Sequence, residues 1–149
     1  MLSITEKNAV FEQVKRRMAR WYGEQATEGK SCLYWMHAGL VTLDQRGIQC
    51  MPACGSAKWE MAADNGKDAT HFGFEWGGSL DTARIALPGA GKSPLPEMHC
   101  WIWLTESREV VDFSTQHIPK LAAELGFAWE PATPPSYIWA RPQSLVPRA

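Results

Sequence analysis

The chain has 149 residues, and its 45% apolar content and eight tryptophans are typical of a folded chain with a substantial core, which argues against disorder. Its formal net charge is −1, from 15 basic and 16 acidic side chains, so no overall field favours nucleic acid or an anionic membrane surface. No stretch approaches the roughly 18 apolar residues of a membrane span. We therefore expect one domain over residues 1–149, with no nucleic-acid or membrane partner.

The N-terminal residues and the cysteines indicate where in the cell the chain is located, and the C-terminal residues resemble an added linker. Residues 1–4 lead directly into a charged segment and lack the basic-then-apolar layout of a signal peptide. Four cysteines without such a peptide favour reduced thiols and a cytoplasmic location. Residues 145–148 resemble an engineered protease-cleavage linker, so we expect the tail from about residue 142 to 149 to be such an addition or disordered, and assign it no function.

Two helices are predicted first. Thr5 is a suitable cap for a helix to about Gly23. Its apolar positions recur every three to four residues, at Val10, Val14, Met18 and Trp21. Ser31 is a suitable N-cap for a second helix that carries Cys32 in its first turn and ends before Gly47.

Strands dominate the rest of the chain. Strand-like runs occupy residues 48–52 and 58–62, which are expected to pair, and residues 71–76, after a turn at residues 64–66. Residues 87–96, rich in Pro and Gly, indicate a long loop. Ser114 or Thr115 is expected to cap a third helix near Pro119, and residues 137–139 form a last short strand. This order predicts an α+β fold with N-terminal helices packed on a largely antiparallel sheet.

The most informative segment is a predicted hairpin over residues 97–113. His99 stands at the start of its first strand and Asp112 near the end of its second. Paired strands of this size bring the imidazole and the carboxylate within reach of each other. The hairpin therefore supplies a base and an orienting group.

Cys32 supplies the nucleophile for such a pair. A helix N-terminus and a nearby imidazolium lower the pKa of a thiol, and only the thiolate is strongly nucleophilic. His99 would accept and return the proton, and Asp112 would hold the ring in the useful tautomer. The Cys32 amide is a natural oxyanion donor, with Gln25 or a tryptophan indole as the second. Each residue also has a purely structural interpretation: a packed thiol, a histidine packed among tryptophans, and a turn carboxylate.

The order Cys32, His99, Asp112, with His99-Cys100-Trp101 on one strand and Val110 to Ser114 on the next, resembles the transglutaminase-like branch of the papain-like cysteine peptidase superfamily. The resemblance covers about residues 31–115. It implies a papain-like α+β fold, a Cys32–His99–Asp112 triad, thiol-based acyl transfer to a peptide or amide substrate, and no metal or organic cofactor. The 67 residues from Cys32 to His99 exceed the spacing of compact members, and we interpret residues 81–96 as an insertion bordering the cleft.

Three other interpretations remain open from the sequence. Residues 86–93 fit a loose phosphate-binding loop, although Pro94 and Pro96 obstruct the helix that such a loop needs. Cys50 and Cys54, with Cys100 and either His71 or His117, would be the ligands of a zinc-stabilised domain, and the first two could instead form a disulfide. The third interpretation is a binding or assembly module that keeps the fold without turnover.

Overall fold

The computed structural model describes residues 1–27, 31–60, 71–75, 99–117, 119–120 and 135–141, and no side chain of residues 56–60 or 71–75. The described residues form two α-helices and five strands: α1 (Ile4–Tyr22), α2 (Cys32–Gln45), β1 (Cys50–Glu60), β2 (His71–Glu75), β3 (His99–Leu104), β4 (Glu109–Asp112) and β5 (Ile138–Ala140). Short 3₁₀ helices span Gly23–Thr27 and Thr115–His117. Among the described residues, none of the helices is both long and apolar enough for a membrane span.

The strands form one sheet in the order β2-β1-β3-β4-β5, and every pairing is antiparallel. Strands β1, β3, β4 and β5 lie side by side, while β2 pairs with the second half of β1. The expectation of an α+β fold with a largely antiparallel sheet is therefore confirmed. Its more specific papain-like form stays a prediction.

Strand β1 differs from the expectation of two short pairing strands. It runs without interruption through Gly55, so residues 50–52 and 58–60 do not pair with each other as the predicted strands 48–52 and 58–62 would. The first half of β1 pairs with β3 from Cys50 to Gly55, and the second half pairs with β2 from Ser56 to Glu60. Both halves of β1 therefore have strand partners for their backbone hydrogen-bonding groups without a turn at Gly55.

Helix α1 begins two residues earlier than a cap at Thr5 would place it. Ser3 is the N-cap, and its hydroxyl accepts from the Glu6 amide while the Glu6 carboxylate accepts from the Ser3 amide. Val10 and Val14 are fully buried, as the spacing predicted, but Trp21 is 40% exposed. Phe11 is buried instead, so the apolar stripe lies closer to the middle of the helix.

Helix α2 packs against α1 and lies on one face of the sheet. Its end at Gln45 agrees with the predicted stop before Gly47. Gly39 sits where the helix approaches the sheet most closely: a Cβ there would lie 2.5 Å from Cδ1 of Ile102 and 2.8 Å from the ring of Phe113. The close approach brings the N-terminal end of α2, with Cys32, onto the sheet.

The hairpin of β3 and β4 is confirmed, with Ile102 opposite Val111. The last strand is confirmed within one residue. The predicted third helix begins as the 3₁₀ helix Thr115–His117, and Pro119 is helical. Neither Ser114 nor Thr115 caps this turn with its hydroxyl. The Ser114 hydroxyl donates to Asp112, and the Thr115 hydroxyl donates to the Pro135 carbonyl. The predictions for residues 64–66, 81–96 and 142–149 lie outside the described residues.

Candidate active site

The imidazole of His99 and the carboxylate of Asp112 are in direct contact. His99 is the first residue of β3 and Asp112 the last of β4. The register that pairs Ile102 with Val111 puts Asp112 opposite Trp101, two residues from His99, and such diagonal neighbours meet through long side chains. The distance from His99 Nε2 to Asp112 Oδ2 is 2.6 Å. Both side chains are buried, at 6% and 2% exposure.

Ser114 fixes the second oxygen of the Asp112 carboxylate. Its backbone amide and its hydroxyl both donate to Asp112 Oδ1, at 2.8 Å and 2.6 Å. This local turn is one that aspartate favours, since its carboxylate accepts from the backbone two residues on. The carboxylate is therefore held with one oxygen on the backbone turn and the other on the imidazole.

Cys32 is the first residue of α2, and its thiol reaches the same place. The side chains of His99 and Cys100 both lower the pKa of this thiol, so the three side chains are near neighbours. Nε2 of His99 is engaged by Asp112. Ser31 is the N-cap by position but forms no side-chain capping bond, contrary to the expectation from the sequence.

The electrostatics of the three side chains favour a charged thiol and imidazole. The hydrogen bond from the Cys100 side chain is the largest influence on the pKa of Cys32; with the hydrogen bond and charge of His99 it outweighs burial and lowers that pKa to about 4. Burial opposes the charged form of His99. The charge and hydrogen bond of Asp112, helped by Cys32, nevertheless raise the pKa of His99 to about 10. The two shifts favour the thiolate form of Cys32 and the imidazolium form of His99.

The three side chains differ in their access to solvent. Cys32 is partly exposed, whereas His99 is buried, with its ring lying 6.1 Å from that of Trp101 at an interplanar angle of 24°. The tryptophan thus covers the imidazole and restricts its rotation. Of the three residues, Cys32 is therefore the most exposed.

Gln25, the suggested second oxyanion donor, lies in the 3₁₀ helix Gly23–Thr27 and is exposed. Its neighbour Ala26 is tied to α2, because the Trp35 indole donates to the Ala26 carbonyl at 3.0 Å. The segment that carries Gln25 is therefore anchored to the first turn of the Cys32 helix. Its role as a donor stays a prediction.

Sequence reasoning did not assign Ser114, Cys100 and Cys54 to the site. The Asp-x-Ser spacing was a usable indication for Ser114, since it is typical of a carboxylate-to-backbone turn. Cys54 lies opposite Cys100 in the ladder between β1 and β3. No local pattern fixes that register, so only the tertiary structure brings these two thiols together.

The chain matches no known protein family, no curated protein and no solved structure.

The family resemblance therefore rests on the motifs around Cys32, His99 and Asp112 and stays a prediction. The geometry of the site is evidence that does not depend on any related protein. An imidazole and a carboxylate from one hairpin are in hydrogen-bond contact, and the imidazole helps to lower the pKa of the thiol at the start of α2.

The zinc interpretation has no matching geometry in the part of the chain that the structure describes, where no group of three or more His, Cys, Asp or Glu side chains is arranged to hold a metal ion. Cys50 and Cys54 lie four residues apart on β1, a separation of about 13 Å along a strand. Neither a shared ligand position nor the suggested disulfide spans that distance. The side chain of His71 is outside the described residues, as is the suggested phosphate loop at 86–93.

A pocket of about 170 Å³ lies elsewhere, and its lining includes Leu2, Leu104, Glu109 and Trp139. The Glu109 carboxylate already accepts from Lys7 at 3.4 Å and from the Trp139 indole at 3.3 Å. This pocket contains none of the three candidate side chains, and its carboxylate serves to pair α1 with the sheet.

Proposed function

We propose that this chain is a cysteine-dependent acyl-transfer enzyme that hydrolyses or deamidates a peptide or amide, with transfer to an amine as the less favoured reaction. The observation that carries the proposal is the contact of His99 Nε2 with the Asp112 carboxylate at 2.6 Å, beside the Cys32 thiol, whose pKa His99 helps to lower. Three groups in this order form the minimal set for nucleophilic catalysis by a thiol. The partial exposure of Cys32 supports access for a substrate.

In the first step, the Cys32 thiolate attacks the carbonyl carbon, and the carbonyl electrons move onto oxygen. Cys32 is the first residue of α2, so its amide has no partner within the helix and is available to the developing oxyanion. The imidazolium of His99 then donates its Nδ1 proton to the leaving amine as the C–N bond breaks. A thioester on Cys32 and a neutral imidazole remain.

In the second step, the neutral His99 takes a proton from water, which attacks the thioester; the acid leaves and the thiolate–imidazolium pair is restored. Asp112 takes no proton in either step. It holds the ring by Nε2, and we assign the proton exchange with sulfur and substrate to Nδ1. An amine in place of water would give transfer instead of hydrolysis.

The proposal is tested with p-nitrophenyl acetate, an acyl donor that makes no demand on substrate specificity. The full-length chain is expected to release a burst of one equivalent of p-nitrophenol and to carry the acetyl group on Cys32, as located by peptide mass spectrometry. Cys32→Ser is expected to abolish the burst. Cys50→Ser is the matched control, since Cys50 lies away from the site and burial raises the pKa of its thiol; the burst should be unchanged.

Turnover of amides is then followed with peptidyl-coumarin amides and with glutamine peptides, using ammonia release for the latter. Acetylation spread equally over the four cysteines would contradict the proposal. Specific acetylation of Cys32 with no hydrolysis of the thioester would instead favour the binding-module interpretation, because the nucleophile would be present without the second half of the reaction.

A further inference from the structure

Three thiols form a continuous series from the protein surface to the candidate nucleophile. Cys54 is exposed, and its sulfur lies 3.0 Å from that of Cys100, which is buried at 4% exposure. Cys100 is also the largest influence on the pKa of Cys32, so these two side chains are near neighbours. The acyl-transfer mechanism above uses only Cys32, so the other two thiols are unexplained by it.

The backbone places Cys54 and Cys100 at positions suited to a disulfide. They are directly opposite each other in the antiparallel ladder of β1 and β3. Residues opposite each other in such a ladder have Cα atoms roughly 4.5–5.5 Å apart, which falls within the roughly 4.4–6.8 Å range of disulfides. Both cysteines are free in the structure. The bond can therefore form with little movement of the sheet.

We propose that the three cysteines form a thiol relay in which a hydroperoxide oxidises Cys32, Cys100 resolves the product, and Cys54 takes the disulfide away from Cys32. The relay ends with a Cys54–Cys100 disulfide and a regenerated Cys32 thiolate. It is a second activity of the same chain, the reduction of one hydroperoxide per pair of thiols. It does not depend on acyl transfer.

The first step consumes the hydroperoxide. The Cys32 thiolate attacks the terminal oxygen, the O–O bond breaks, and the departing alkoxide takes the proton of the His99 imidazolium to leave as an alcohol, or as water from hydrogen peroxide. Cys32 is oxidised to a sulfenic acid and His99 becomes neutral. The low pKa of the Cys32 thiol supports this step, since thiolates are the form that peroxides oxidise.

The next two steps are a condensation and an exchange. The Cys100 sulfur attacks the Cys32 sulfenic sulfur, the S–O bond breaks, and the thiol proton leaves with the hydroxide as water. The Cys54 sulfur then attacks Cys100, the Cys32–Cys100 bond breaks, and Cys32 departs as the thiolate while His99 takes up a proton in place of the one that Cys54 loses. Thiolates of low pKa are the better leaving groups, which favours release of Cys32.

The relay predicts a specific pattern of products when the reduced full-length chain receives one equivalent of hydrogen peroxide at neutral pH. Non-reducing peptide mapping is expected to show the Cys54–Cys100 disulfide, with Cys32 still alkylated by iodoacetamide. Cys54→Ser is expected to stop at a Cys32–Cys100 disulfide and to lose alkylation of Cys32. Cys100→Ala is expected to accumulate the Cys32 sulfenic acid, trapped with dimedone. Cys50→Ser should behave as the wild type.

Cys32→Ser decides whether the peroxide enters through Cys32. Formation of the Cys54–Cys100 disulfide should slow at least ~10-fold in this variant, because the activated thiolate is gone. An unchanged rate would overturn the proposal, as would oxidation of wild-type Cys32 to sulfinic acid at the rate seen in Cys100→Ala. Far-UV circular dichroism checks that each variant is folded. Because the readout is a disulfide map, the relay can fail or succeed whatever the chain does to p-nitrophenyl acetate.

Discussion

At the scale of single residues, the candidate site depends on how Asp112 is held. Its carboxylate is buried, with one oxygen on His99 Nε2 and the other on the amide and hydroxyl of Ser114. A buried carboxylate is costly unless its oxygens are satisfied, and here three donors satisfy them. Asp112 is therefore fixed in place, and it orients the imidazole of His99.

Replacing Asp112 with asparagine is expected to slow acylation of Cys32 by about 100-fold or more, because the amide no longer stabilises the imidazolium or fixes its tautomer. The same change removes a cause of the raised pKa of His99. The alkaline limb of the acylation rate, near pH 10 in the wild type, is therefore expected to move to lower pH. Stopped-flow rates with p-nitrophenyl acetate across the pH range measure both effects.

Asp44→Asn is the matched control for that variant, since Asp44 is exposed at the end of α2. It should leave the rate and its pH profile unchanged. Ser114→Ala should lie between the two, at about a 5-fold loss, because it removes one of two hydrogen bonds to Oδ1. A pH profile of Asp112→Asn that coincides with the wild type would exclude Asp112 as the positioning residue.

At the scale of elements, helix α2 is placed by a small residue. Gly39 lets the helix approach the sheet at Ile102 and Phe113. The ring of Phe113 is stacked against that of Phe11 at 5.9 Å, so it cannot turn aside freely. The position of Cys32, seven residues earlier on the same rigid helix, follows from this contact.

Gly39→Ala is expected to destabilise the fold by about 1–3 kcal/mol, in spite of the better helix propensity of alanine, because its Cβ overlaps two side chains. Urea denaturation measures the change. Ile102→Val removes the nearer atom, Cδ1, and normally costs about 0.5–1.5 kcal/mol. In the Gly39→Ala background it should cost less or stabilise. Strictly additive effects in the double-mutant cycle would show that the close approach is not what limits this position.

At the scale of the whole molecule, the charged pair of Cys32 and His99 couples stability to pH. The lowered pKa of Cys32 contributes stability that is complete above the ordinary thiol pKa, ~8.5, and is lost as the pH falls toward about 4. The raised pKa of His99 contributes stability that is complete below ~6.5 and is lost as the pH rises toward about 10. The two contributions overlap most between about pH 6.5 and 8.5.

The free energy of unfolding of the wild type relative to Cys32→Ser is therefore expected to grow as the pH rises from about 5 to about 7.5. Acidic side chains elsewhere titrate alike in both proteins and cancel in the difference. Urea denaturation at several pH values gives the two curves. Parallel curves over this interval would mean that the Cys32 thiol is not ionised in the folded protein.

How far the sequence alone predicts the site can be judged from its members. The sequence places His99 and Asp112 on two strands of one hairpin because apolar runs and a short polar turn are local patterns, and the hairpin is present in the structure. The cap at Ser3 was missed in favour of Thr5, although Ser3 and Glu6 have the capping-box spacing. The course of β1 was missed because Gly55 suggests a turn when its strand partners are unknown.

The sequence by itself determined the elements and the residue types suited to thiol chemistry, because helix periodicity, strand alternation and capping depend on neighbours a few residues apart. Only the tertiary structure decided that Cys32 reaches His99, and that Cys54 and Cys100 meet beside it. Those contacts join positions 46 or more residues apart. They are set by the register between β1 and β3 and by the close approach of α2 to the sheet at Gly39. Both are properties of tertiary packing, and neither produces a periodic pattern in the sequence.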